Sequence, residues 1–178
     1  MRVLAVDIGN TSTAIGRWEE GRVTRVAHVD GGLRLRPAAV IRAVRAAARG
    51  GVDSAALASV VPAANAAWKT LVRRELGLPL LVISAKTPSP VRIDYPRPET
   101  IGADRLADAA GAADRYGVPV LVADFGTAFT AAVVTARRTW IGGVIAPGFP
   151  LMSDYLYERT AQLPRMTLGG TCPKIGRS

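Results

Sequence analysis

Asp7-Ile8-Gly9-Asn10-Thr11 and Asp124-Phe125-Gly126-Thr127-Ala128-Phe129-Thr130 are two versions of one design: an apolar run ending in an acid, a glycine turn, then hydroxyls leading into a returning run. Met1 to Ile8 is the first apolar run and Thr13 to Trp18 its return; Val118 to Ala123 is the second and Ala128 to Val134 its return. Short apolar runs bounded by turn residues read as strands. A strand that delivers a carboxylate to a glycine turn suits a polyphosphate. Glycine lets the backbone come close, turn amides and hydroxyls donate to phosphate oxygens, and the acid can hold Mg²⁺ through water. Taken singly, such a turn is equally an ordinary hairpin. Occurring twice, the pair predicts a nucleotide cleft with one hairpin on each wall.

Outward from the first hairpin, Glu19-Glu20-Gly21 turns the chain into a third strand, Arg22 to Val29, which completes an antiparallel meander. Pro37 opens a helix whose apolar positions Val40, Ile41, Val44 and Ala48 recur at helical spacing, closed by Gly50-Gly51. A buried strand (Ala55 to Val61), a helix (Ala63 to Leu76) ended by Gly77 and a β-rich run (Leu80 to Ser84) follow. Residues 85 to 100 hold four prolines and read as an extended loop. A third helix begins at Gly102-Ala103-Asp104-Arg105 and runs to Tyr116-Gly117. After the second hairpin, Arg137-Arg138 turns toward Trp140, Gly142-Gly143 and Pro147-Gly148 read as breaks, and Phe149 to Leu163 has a helical pattern. The chain stops in Gly169-Gly170-Thr171-Cys172-Pro173-Lys174-Ile175-Gly176-Arg177-Ser178 with no closing element. Alternating strands and helices predict an α/β protein of two similar lobes, 1–117 and 118–178, the second incomplete.

Composition removes several classes. With 178 residues and 49% hydrophobic content, one core or two small lobes can form. One cysteine (Cys172) and one histidine (His28) exclude a disulfide framework and a Cys/His zinc cluster and point to the cytoplasm. Asp7 interrupts the first apolar run too early for a signal peptide, and Asp124 with Gly126-Thr127 splits Val118 to Ala136 too finely for a membrane helix. The formal charge of +9 comes from scattered arginines rather than a basic arm, so no nucleic-acid partner is expected. Asp124-Phe125-Gly126 also occurs as a motif in protein kinases, but no glycine-rich loop, strand lysine or His-Arg-Asp segment accompanies it.

Between the hairpins, Tyr95 precedes Ile101-Gly102-Ala103-Asp104-Arg105, which puts an acid and a base in the first turn of a helix. Asp104 there is either a carboxylate that stabilises a helix start or the base for an acceptor hydroxyl. Arg105 is either a surface cation or a partner for a substrate carboxylate.

The ordered set Asp7-Ile8-Gly9-Asn10-Thr11, Ala58-Ser59-Val60-Val61-Pro62, Gly102-Ala103-Asp104-Arg105, Asp124-Phe125-Gly126-Thr127-Ala128, Gly142-Gly143-Val144-Ile145-Ala146-Pro147-Gly148 and Arg159-Thr160-Ala161-Gln162-Leu163-Pro164 resembles type III pantothenate kinases from end to end. The resemblance implies two ribonuclease H-like lobes of the actin-like ATPase kind, with mixed sheets flanked by helices. It implies an enzyme that uses ATP, Mg²⁺ and K⁺ (or NH₄⁺) to phosphorylate pantothenate, as a cytoplasmic homodimer. Asp7, Ile8, Gly9, Asn10, Thr11, Ser12, Thr13 and Ala14 would form the first phosphate loop, with Thr127 contacting ATP and Asp124 helping to hold the monovalent cation. Tyr95, Gly102, Ala103, Asp104 and Arg105 would line the pantothenate site, with Asp104 the general base. Two departures stand out. Phe129 sits where the family has a threonine, and family members continue past this point with further helices and a glycine-rich adenosine segment. Ile175-Gly176-Arg177-Ser178 is similar to the start of a family stretch whose next residue, a threonine, reaches the partner subunit's pantothenate. The other readings are a catalytically silent homologue acting as a ligand-binding or regulatory accessory protein, and a sugar or acetate kinase, which would not be expected to carry the Gly102 to Arg105 element.

Overall fold

The computed structural model describes residues 1–30 and 37–165, so the expectations attached to Gly169 through Ser178 lie outside the described residues. Strands β1 (Arg2–Ile8), β2 (Ser12–Glu19) and β3 (Arg22–Asp30) form the expected meander. Asp7 pairs with Ala14 and Ile8 with Thr13, which leaves Gly9 to Ser12 to close the first hairpin. Helix α1 (Pro37–Ala47) buries Val40, Ala43, Val44 and Ala47. It ends before the predicted Ala48, because Gly50 and Gly51 at φ +85° and +89° turn the chain away.

Strand β4 (Ser54–Ser59) lies parallel to β1 and stops short of the predicted Val61. The Ser59 hydroxyl bonds to both the N–H and the carbonyl of Val61, and Pro62 then opens a 3₁₀ turn. Helix α2 (Asn65–Leu76) ends on Gly77 in the left-handed region, whose N–H returns to the Arg73 carbonyl. Strand β5 (Leu80–Val82) adds parallel to β4, giving the order β3-β2-β1-β4-β5. Parallel neighbours joined by helical crossovers bury a continuous apolar core, here Leu4, Ile8, Ile15, Val44, Leu57, Trp68 and Val72.

A second sheet, ordered β6-β9-β8-β7, comprises β6 (Arg92–Ile93), β7 (Val120–Phe125), β8 (Ala128–Val134) and β9 (Thr139–Pro147). Helix α3 (Ala103–Tyr116) precedes β7, and α4 (Phe149–Arg159) follows β9. Three expectations change here. The loop of residues 85–100 contains β6 and a 3₁₀ turn at Pro98–Thr100. Gly142-Gly143 does not break the chain but lies within β9, with Gly142 at φ +115°. Helix α4 stops at Arg159, before Leu163, because Thr160 turns extended and its hydroxyl donates to the Leu156 carbonyl. Val91, Ala109, Ala113, Ala132, Val134 and Trp140 form a second core.

The architecture is α/β with two mixed sheets flanked by helices. Among the described residues two compact units are distinguished: those within 1–122 together with 132–143, and 123–131 together with 144–165.

Candidate functional site

In the larger unit the first hairpin sorts the predicted phosphate residues into two kinds. Ile8 and Thr13 are fully buried and anchor the turn, whereas Asp7, Asn10 and Thr11 are exposed. Gly9, Ser12 and Ala14 are half-buried. The Gly9 N–H donates to the Ser12 carbonyl at 2.9 Å, so it closes the turn itself. A Cβ at position 9 would stand 3.3 Å from that carbonyl, a closeness that glycine avoids. Exposure is thus confined to Asp7 and the tip, Asn10 and Thr11.

The base of this hairpin is tied to the end of β4, where the Val60 N–H donates to the Ile8 carbonyl at 3.0 Å. Val60 in turn packs beside Gly102, whose missing Cβ would lie 3.7 Å from Val60 Cγ1. One residue therefore links the hairpin that carries Asp7 to the helix start that carries Asp104.

At that start Gly102 is the N-cap of α3, with no side-chain cap of its own. Ala103 is buried and fixes the helix on the core, while Asp104 and Arg105 are half-buried. Asp104 Oδ1 accepts the Arg105 backbone N–H at 2.7 Å, which keeps a negative carboxylate at the positive end of the helix. The Arg105 guanidinium lies over the Trp140 ring, 5.3 Å from its centroid. Tyr95 meets the same indole edge-on, with centroids 5.4 Å apart and planes at 75°. Tyr95 is brought there by β6, since Ile93 pairs with Trp140 and the Asp94 N–H donates to the Trp140 carbonyl at 2.9 Å. Tyr95 keeps 41% exposure, whereas Trp140 keeps 1%. Two of the five predicted substrate residues, Tyr95 and Arg105, are thus gathered by a tryptophan that sequence reading did not single out. A cavity of about 240 Å³ also abuts α3, lined by Leu81, Ile83, Val91, Leu106, Ala109 and Trp140 among others; no predicted site residue lines it.

The smaller unit carries the second hairpin. Asp124 is exposed, and the Gly126 N–H closes the turn on the Ala128 carbonyl at 3.1 Å. The Gly148 N–H donates to the Thr127 carbonyl at 3.0 Å. Gly148 is required there, because any Cβ would collide with the Gly126 and Thr127 carbonyls. Phe129 packs its ring 4.8 Å from that of Phe125, which stacks in turn on Phe149 at 6.4 Å. Among the described residues no group of three or more His, Cys, Asp or Glu side chains gathers to hold a metal.

Residues 3–178 match the family model for type III pantothenate kinase. The type III pantothenate kinase of Roseiflexus sp. (strain RS-1) is 35% identical over 182 residues, which cover 99% of this chain and 71% of that protein. The one from Chlorobaculum tepidum is 36% identical over 179 residues, covering 98% of this chain and 66% of that protein. This chain therefore spans about two-thirds of the length of these relatives. Among solved structures, a Baf family protein from Campylobacter jejuni superposes with a TM-score of 0.56 at 15% identity, over 96% of this chain and 68% of that one. The type II variant of the Aquifex aeolicus Ppx/GppA phosphatase gives 0.51 at 15% identity, over 93% of this chain and 58% of that one. At such identities the likeness shows the fold alone, which is that of actin-like ATPases.

Proposed function

Because the chain belongs to the type III pantothenate kinase family, we propose that it transfers the ATP γ-phosphoryl group to the primary hydroxyl of pantothenate, the first step of coenzyme A biosynthesis. The observation that supports this most is the Gly102 to Arg105 turn, which holds a carboxylate and a guanidinium together at the start of α3. A phosphoryl acceptor with a hydroxyl at one end and a carboxylate at the other needs both groups.

Asp104 takes the hydroxyl proton as the oxygen attacks in line, and Arg105 pairs with the substrate carboxylate. Tyr95, Gly102 and Ala103 complete the wall of the acceptor pocket. Phosphoryl transfer has a loose transition state, so alignment and charge neutralisation matter more than covalent help. Residues Asp7 through Ala14 hold nucleotide phosphates, chiefly through the exposed tip at Asn10 and Thr11, and Thr127 contacts ATP. Bound Mg²⁺ and K⁺ (or NH₄⁺) neutralise phosphate charge. Asp7 is assigned to Mg²⁺ through water and Asp124 to the monovalent cation. Exposed single carboxylates fit these hard cations, since Mg²⁺ on a nucleotide uses one or two carboxylates, water and the phosphates themselves rather than a protein cage. A homodimer in the cytoplasm belongs to the same proposal; no helix among the described residues is long and apolar enough to cross a membrane.

The test is pantothenate-dependent ADP release in Mg²⁺ and K⁺ by the wild-type chain and by Asp104→Asn. Turnover is expected to fall by about 10²–10⁴-fold in the variant. Equal turnover would remove Asp104 from the reaction. Phe129, which replaces a donor with an aromatic ring packed on Phe125, favours the second reading of a silent accessory protein. A wild-type chain that binds pantothenate and ATP yet releases no ADP would establish that reading.

A further inference from the structure

Trp140 touches two of the predicted acceptor-side residues, Tyr95 and Arg105, while being itself almost wholly buried, so its ring has one orientation and its neighbours inherit it. We propose that Trp140 is the positioning residue of the acceptor pocket: its face fixes the Arg105 guanidinium and its T-shaped contact fixes Tyr95, so that both reach one anionic substrate. This rests on the function proposed above.

The geometry supplies the reasons. A guanidinium over an indole face is held by the ring's negative quadrupole, and Arg favours this stacking because it is planar and weakly hydrated. An edge-on aromatic pair with centroids 5.4 Å apart lies in the favourable T-shaped range. The backbone adds a third hold, since the Trp140 carbonyl accepts the N–H of Asp94, the residue before Tyr95. Two residues on, Gly142 at φ +115° leaves the Tyr95 ring as its nearest neighbour, 3.9 Å from where a Cβ would stand. An arginine poised in this way loses less side-chain freedom when the substrate arrives, which strengthens acceptor binding without touching ATP.

Trp140→Phe and Trp140→Met both shrink the side chain, but only phenylalanine keeps an aromatic face. In the full chain, the Met variant is expected to bind pantothenate about 5-fold more weakly than the Phe variant, with ATP affinity equal in both. The Arg105 Nε–Hε proton signal should lie upfield in the wild type through the indole ring current, stay displaced in Phe and return to the common arginine position in Met. Equal losses in Met and Phe, or a loss of ATP affinity matching that for pantothenate, overturn the proposal. Should the Met variant not fold, an undisplaced Arg105 signal in the wild type overturns it alone. A wild-type chain that binds no pantothenate sinks the kinase reading instead, and the ring-current result then decides by itself whether Trp140 holds Arg105.

Discussion

Gly102 leaves open the space that Asp104 Oδ1 occupies, and any side chain at position 102 would run into that oxygen. In Gly102→Ala the short Asp104 side chain must swing off its bond to the Arg105 N–H, and α3 loses up to about 1 kcal/mol, because alanine is a poorer N-cap than glycine. Turnover is expected to fall by about 10²-fold while the thermal midpoint drops by no more than about 2–4 °C, since misplacement of a reacting group costs far more rate than the lost cap costs stability. ADP release and a melting curve on the same sample check both halves.

Gly148→Ala should act on the nucleotide instead. The atoms in its way are the Gly126 and Thr127 carbonyls, which belong to the backbone and cannot rotate aside. The second hairpin must shift as a piece. The KM for ATP is expected to rise by about 10-fold or more, with the KM for pantothenate changed far less. Steady-state kinetics with each substrate varied would show the split.

Trp68 is the largest side chain in the first core and is 1% exposed. Trp68→Ala should cost about 3–5 kcal/mol in urea unfolding. Trp68→Phe should cost much less, because among the described residues the indole N–H has no hydrogen-bond partner to lose. Parity between the two variants would contradict this.

Glu75 links α1 and α2. Its side chain is 8% exposed and bonds to Arg45 Nε at 2.8 Å and Arg74 Nε at 3.0 Å. The Arg45 bond first, then the Arg74 bond, hold its carboxyl below the ordinary value of 4.5, against the opposing effect of burial. A carboxylate lowered on folding stabilises the native state above the unfolded value, and that contribution is lost as pH falls through the native one. Glu75→Gln should therefore unfold at lower urea than wild type at pH 7, and the gap should close below pH 4.5. A gap that widens in acid would reverse the sign.

The hairpins and long helices were legible because each announces itself locally: Pro37 and Gly77 bracket helices, and Asp7 and Asp124 each stand just before a glycine turn. What escaped was set at long range. Strand β6 is two residues long, too short for any period, and exists only because Arg92 and Ile93 find Thr139 and Trp140. Gly142-Gly143 read as a break because glycine is depleted in strands; in the fold it sits in β9 beside Tyr95. Trp140 carried no motif, and its role follows from a register that joins it to a loop far upstream. An aromatic residue just ahead of a double glycine in a strand was the one available signal.

The lateral attachment of the Tyr95 segment to β9 is correspondingly short: a two-residue ladder, Arg92 with Thr139 and Ile93 with Trp140, flanked by hydrogen bonds from the Arg92 N–H to the Arg138 carbonyl and from the Asp94 N–H to the Trp140 carbonyl. Such a seam opens at little cost, so deuterium should enter these amides far sooner than those of β1 or β4. A ligand gripping Tyr95 would slow that entry, and the protein would use part of its affinity to stitch its own pocket wall shut.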